Sequence, residues 1–162
     1  MELLSSAGWE VRVEVTYSEF GERGSIDILA FMPSAGVLLV IEIKTDMAAV
    51  EATLRKVDEK VRLAPDVARK RFGWDASTVG WLLVMPERST LRRRVERHSS
   101  VFARAFPVRG SEIRRWLQQP TKAIAGLWFL SSSRGTTRIQ RRGGGERVRI
   151  ANCPSPSRGA AA

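Results

Sequence analysis

One cysteine (Cys153) and one histidine (His98) stand in 162 residues. Neither a disulfide framework nor a Cys/His zinc centre can be assembled from them. A metal held by this chain therefore rests on oxygen ligands, which selects hard cations such as Mg²⁺, Mn²⁺ or Ca²⁺. No apolar run approaches the ~20 residues that span a bilayer, so no membrane partner is expected. The opening Met1-Glu2-Leu3-Leu4 lacks the basic stretch of a secretory signal, and a cytoplasmic location is the expectation.

Acidic residues are scarce beyond the first third of the chain. Residues 1–46 hold eight acids and three bases, a net of −5. Residues 47–130 hold seventeen bases and eight acids, a net of +9, and residues 131–162 hold seven bases and one acid, a net of +6. An acidic segment ahead of a strongly basic remainder suits a polyanion docked on the basic part, with metal offsetting the acids where the two meet. The same charge also describes a solubilising surface with a basic tail.

Hydrophobic periodicity sets the expected organisation: a domain over 1–130 and a tail over 131–162. Met1–Ala7 makes one or two helical turns, short for an opening helix, which leaves the full first helix truncated or upstream. Trp9–Tyr17 alternates as a half-buried strand with Val11, Val13 and Val15 on one face. Ser18–Gly24 reads as a turn. Ser25–Met32 and Gly36–Thr45 read as central strands covered on both faces, linked by Pro33-Ser34-Ala35-Gly36.

From Met47 the period becomes helical, with Val50, Leu54, Val57, Val61, Ala64 and Ala68 on one stripe. Pro65 is expected to break or restart that helix. A strand over Thr78–Met85 and a basic helix over Ser89–His98 follow. A strand over Val101–Phe106 and a helix over Ser111–Gln118 come next, and apolar Gly126–Leu130 adds a last edge strand or packs on the core. The order predicts an α/β domain with a mixed central sheet flanked by helices. The tail is rich in Ser, Gly, Arg and Ala, cannot bury enough apolar surface to offset ordering entropy, and is expected to be disordered.

Charge set into the two central strands is the main functional signal. Asp27 interrupts Ile26–Phe31, and Glu42 and Lys44 end the run Val37–Lys44. Charges in low-dielectric surroundings persist when something binds them. Glu42 and Lys44 are two apart and share a strand face, while Ile41 and Ile43 point the other way, into a core. The register through residues 33–36 brings Asp27 near Glu42, within reach of one cation. Two carboxylates and the backbone carbonyl of Ile43 then offer three ligands of an octahedral Mg²⁺ or Mn²⁺ site, with water and a phosphate oxygen filling the rest. Such a metal activates water, and Lys44 can orient it or stabilise charge growing at phosphorus.

Gly24-Ser25-Ile26-Asp27-Ile28-Leu29-Ala30, a hairpin, and Val40-Ile41-Glu42-Ile43-Lys44-Thr45 together resemble the PD-(D/E)xK nuclease superfamily. The flavour is that of its Holliday-junction-resolvase and restriction-endonuclease-like members. The Gly21-Glu22-Arg23-Gly24-Ser25-Ile26-Asp27 stretch is also similar to bacterial nuclease-like domains, some fused to a helix-turn-helix. The resemblance covers Trp9–Thr45 well and the elements to Leu130 more loosely. It implies a restriction-endonuclease-like fold and metal-dependent hydrolysis of DNA phosphodiesters, with Asp27 and Glu42 on the metal and Lys44 assisting the nucleophile. Pairing of two copies and an upstream DNA-binding domain or partner are compatible with it.

Two departures matter. No proline precedes Asp27, and the additional glutamate usual in the first helix has no safe counterpart, because Glu2 lies near the chain end. Glu14, on the polar face of the first strand, can serve as third carboxylate or be merely solvated. Without a third carboxylate the alternative is a catalytically inactive DNA-binding or regulatory module that retains the fold.

Arg23 and Ser25 flank Asp27 and can touch phosphate or serve the turn. On the long helix, Arg55 and Arg62 each follow an acid by four residues and read as a solvated face. Lys60 lacks such a partner and is expected to contact DNA. Arg92, Arg93 and Arg94, with Arg97 one turn on, form a patch suited to phosphates. The tryptophans read as core or interface anchors. His98 is ill placed for a general base, and Cys153 is an incidental thiol in the tail.

Overall fold

Two-residue periodicity and one tight turn start the sheet. The computed structural model describes residues 2–47 and 49–131. The expected disordered tail, with Cys153, falls outside the described residues from 132 onward. After a short helix α1 (Glu2–Ser6), β1 (Glu10–Glu19) and β2 (Glu22–Met32) form an antiparallel hairpin. Phe20 and Gly21 close it with φ of 52° and 82°, the double positive-φ pattern that matches strand twist in a two-residue turn. The expected loop over Ser18–Gly24 is thereby corrected, since both strands run on to the turn.

Gly24 is a strand residue with a packing role. It pairs with Tyr17, whose ring lies across it; a Cβ there would stand 2.4 Å from the Tyr17 oxygen.

The turn at Pro33–Gly36 delivers β3 (Val37–Ile43), antiparallel to β2. Helix α2 (Val50–Phe72) crosses over to β4 (Thr78–Pro86), which is parallel to β3. Then come α3 (Ser89–Arg97), α4 (Ser99–Ala105), a two-residue β5 (Val108–Arg109), α5 (Gly110–Gln118) and β6 (Ala125–Leu130). The strand order is β1-β2-β3-β4-β6-β5, a six-stranded mixed sheet flanked by helices. β6 lies inside the sheet, between β4 and β5, and not at its edge.

Both faces are covered. Leu29, Phe31, Leu38 and Val40 pack on Leu63, Ala64, Val67 and Ala68 of α2. Leu83 and Met85 meet α3 through Leu91 and Val95, α4 through Phe102, and Phe106 just after α4. On the opposite face Ala30, Leu39 and Ile41 pack with Leu4 of α1 and with Ile113, Trp116 and Leu117 of α5.

Two further expectations are corrected. α2 continues through Pro65. Buried side chains on both sides of the proline hold the two halves to one sheet, which offsets its helix penalty of about 3 kcal/mol. Val101–Phe106 is mostly helix, because Phe102 and Phe106, both at most 1% exposed, are spaced four apart and pack in one cluster with Leu83 and Met85 of β4.

Gly24→Ala should force Tyr17 off its position and cost about 1–3 kcal/mol. Urea denaturation measures this, and an unchanged midpoint would contradict the packing role.

Candidate active site

The β3 residues facing α2 are Leu38, Val40 and, one step on, Glu42. That face is dry, and Glu42 is only 2% exposed. A lone carboxylate there would be strongly disfavoured. Two ammonium groups hold it: Lys44 Nζ lies 2.6 Å from Oε1, and Lys60 Nζ lies 2.5 Å from Oε2. Lys44 reaches from its own strand, with a third of its side chain in solvent, whereas the Lys60 side chain is 10% exposed.

Lys60 therefore faces inward and is not the outward DNA contact expected of it. Its position follows from the buried stripe of α2, which runs Val57, Lys60, Leu63, Ala64, Val67 and Ala68. Spacings of three and four include the lysine; the stripe drawn through Val50, Leu54 and Val61 omits it. The missed signal is the one that marked Glu42, a charge in an apolar row.

The neighbouring α2 residue is anchored too. Tyr17 donates its hydroxyl to Glu59 Oε1 at 2.7 Å, and Lys56 donates to Oε2 at 2.8 Å. Burial, and then the Glu59 contact, push the Tyr17 phenol well above its usual range. The Lys56 and Tyr17 hydrogen bonds hold the Glu59 carboxyl below its own.

Asp27 arrives through a break in strand alternation. Leu29 and Phe31 pack toward α2, and so does Ile26, which is fully buried. The faces thus switch around Asp27. On the facing strand Val11 and Val15 also pack on opposite sides, and Glu14 between them has φ of 50°. Val13 is consequently exposed, which corrects the single valine face expected for β1.

The β2–β3 pairing ends at Ile28 and Ile41, so Asp27 stands one rung on, at the level of Glu42. Its Oδ2 accepts the Ile43 backbone N–H at 2.7 Å, taking the place of a ladder bond. Strand geometry sends the Ile43 carbonyl to the same side as its amide. The Ile43 side chain, expected in a core, is 43% exposed where β3 runs past its covering layer.

The donor set fits a hard cation in type: two carboxylates from adjacent strands at one level, and a backbone carbonyl beside them. Glu42 already gathers positive charge on both oxygens. Among the described residues no three Asp, Glu, His or Cys side chains converge, and Glu14 does not complete such a group although it stands across from Asp27.

The basic residues separate into two kinds. Arg23 is exposed, as is Arg93, and no ion pair among the described residues engages Arg93. Arg92 is tied to Glu87 and stacks on Phe129. Arg94 is half-buried and donates to the Met47 carbonyl, fastening the segment between β3 and α2. It therefore holds structure where phosphate contact was expected. Comparison with family models, curated proteins and solved structures finds no match to the chain.

Glu42→Leu should leave Lys60 as an unpaired buried charge and cost about 3–5 kcal/mol. Adding Lys60→Met should recover most of that loss. Chemical denaturation of the two variants checks this; equal losses in the single and double variant would contradict the pairing.

Proposed function

We propose that the chain is a metal-dependent deoxyribonuclease domain of the restriction-endonuclease-like kind, hydrolysing DNA phosphodiesters. The observation that carries this reading is that Asp27, in mid-β2, lies level with Glu42 where the β2–β3 pairing stops, with Lys44 just past the end of β3 and paired to Glu42 at the margin of a buried sheet face. The net charge of +10 supports a polyanionic substrate.

In this reading Asp27 and Glu42, with the Ile43 carbonyl, hold Mg²⁺ or Mn²⁺. When bound, the cation supplies polarisation of a phosphoryl oxygen and a water of lowered pKa. The chain's own groups do the positioning. The Ile43 amide fixes the Asp27 carboxylate through Oδ2. Lys60 fixes Glu42 from behind. Lys44, the more exposed ammonium, is placed to orient the attacking water or to neutralise charge growing on the phosphoryl oxygens. Exposed Arg23 and Arg93 are suited to backbone phosphates.

A second reading, a DNA-binding or regulatory module without cleavage, is favoured by one observation: no third acidic side chain joins Asp27 and Glu42 among the described residues.

Of supercoiled, linear, single-stranded and branched DNA incubated with the protein and Mg²⁺ or Mn²⁺, at least one should be cut, and EDTA should stop it. Glu42→Ala and Lys44→Ala should each slow cleavage by on the order of 100-fold or more. Cleavage equal to wild type in both variants would overturn the nuclease reading. Salt-dependent DNA binding with no cleavage by wild type would select the second reading.

A further inference from the structure

The site contains as many ammonium groups as carboxylates. Asp27 and Glu42 contribute two negative charges, and Lys44 and Lys60 contribute two positive ones. Each oxygen of Glu42 carries an ammonium group and the residue is 2% exposed, so a divalent cation that approaches that carboxylate competes with an ammonium group for it. The two lysines are not equivalent in this respect. A third of the Lys44 side chain is in solvent, and it can leave toward water. Lys60 is 10% exposed by side chain, rooted mid-helix among Val57, Leu63 and Ala64, and has no comparable exit. Moving its charge off Glu42 would strand it in the apolar layer.

We propose that Lys60 is a resident counter-charge that makes divalent-cation binding at Asp27 and Glu42 depend on simultaneous binding of a phosphodiester polyanion. The inference rests on the metal-site reading above and adds to it a reason for a second lysine. With Lys60 in place, a dication that releases Lys44 meets a net single negative charge in place of two, and lies close to a fixed positive one. At the effective dielectric of a partly buried site this repulsion weakens cation affinity by on the order of tenfold or more. A phosphodiester brings the missing negative charge, and the released Lys44 ammonium is free to meet it. Cation and polyanion then each raise the affinity for the other by the same factor, as linkage requires. Lys60 acts through Glu42 and is a positioning residue, not a catalytic one.

The test is a Mn²⁺ titration of the full chain, following free Mn²⁺ by electron paramagnetic resonance. It is run without DNA and with a short phosphorothioate duplex, which keeps the backbone charge while slowing hydrolysis. Binding to the duplex alone is subtracted. Wild type should bind Mn²⁺ at least tenfold more tightly with the duplex than without it. Lys60→Met and Lys60→Gln should bind Mn²⁺ at least tenfold more tightly than wild type in the absence of DNA, with a smaller gain from the duplex. Circular dichroism and unfolding curves establish that each variant is folded. Lys60→Gln keeps a donor for Glu42 should Lys60→Met fail to fold, and the wild-type comparison needs no variant.

Folded Lys60 variants that bind Mn²⁺ no more tightly than wild type would overturn the inference. So would wild-type affinity indifferent to the duplex; if that protein still cuts DNA, the nuclease reading stands alone. Absence of Mn²⁺ binding by wild type in both conditions would remove both.

Discussion

The ion pair between Glu42 and Lys60 ties the sheet to its crossover helix. β3 carries Glu42 onto the face that α2 covers, at 2% exposure, and α2 answers with a lysine from within its own buried stripe. Such a pair is poor evidence for net stability, because desolvation offsets much of the attraction. Its consequence is positional. Sliding α2 by a turn, about 5 Å, would leave two opposite charges buried apart. Tyr17 adds a second fastening at the adjacent residue, Glu59, and Gly24 leaves room for the tyrosine ring to reach it. The hairpin, the central strand and the long helix are thus aligned by two contacts made from consecutive helix positions.

The same alignment sets the electrostatics of the site. Glu42 is held from behind by a buried cation and from the front by one that is a third exposed, while Asp27 is clamped by the Ile43 amide. The graded exposure separates a lysine that stays from a lysine that can move. The kink at Glu14 and Asp27 is part of this arrangement, because a strand alternating regularly could not bury Ile26 on the α2 side and also direct Asp27 across to β3. A non-glycine residue at positive φ costs about 1–3 kcal/mol and persists where the surroundings hold it. Here the buried Val15 and Ile26 on either strand do so.

Much of this was legible in the sequence. Charges inside apolar strands marked Asp27, Glu42 and Lys44, and alternation with turn residues marked the strands that bring them together. Lys60 is hidden because a stripe through Val50, Leu54 and Val61 leaves it outside the apolar row, as an unpaired surface lysine. Arg94 escaped for a related reason: in a run of three arginines, spacing alone does not tell which one turns inward to a backbone carbonyl. Pro65 and the segment Val101–Phe106 followed tertiary packing over local preference. Gly24 looks like loop chemistry, whereas its lack of a Cβ serves a neighbouring strand's tyrosine. The kink at Glu14 has no sequence signal, since nothing local marks that residue for a left-handed backbone.

A crystal structure of the full chain with Mn²⁺ and a DNA duplex, phased to reveal anomalous scattering, tests the account most directly. One Mn²⁺ peak should lie between Asp27 and Glu42, with Lys44 off the Glu42 carboxylate and Lys60 still on it. A peak elsewhere, no peak at saturating Mn²⁺, or Lys60 displaced while Lys44 remains would contradict it.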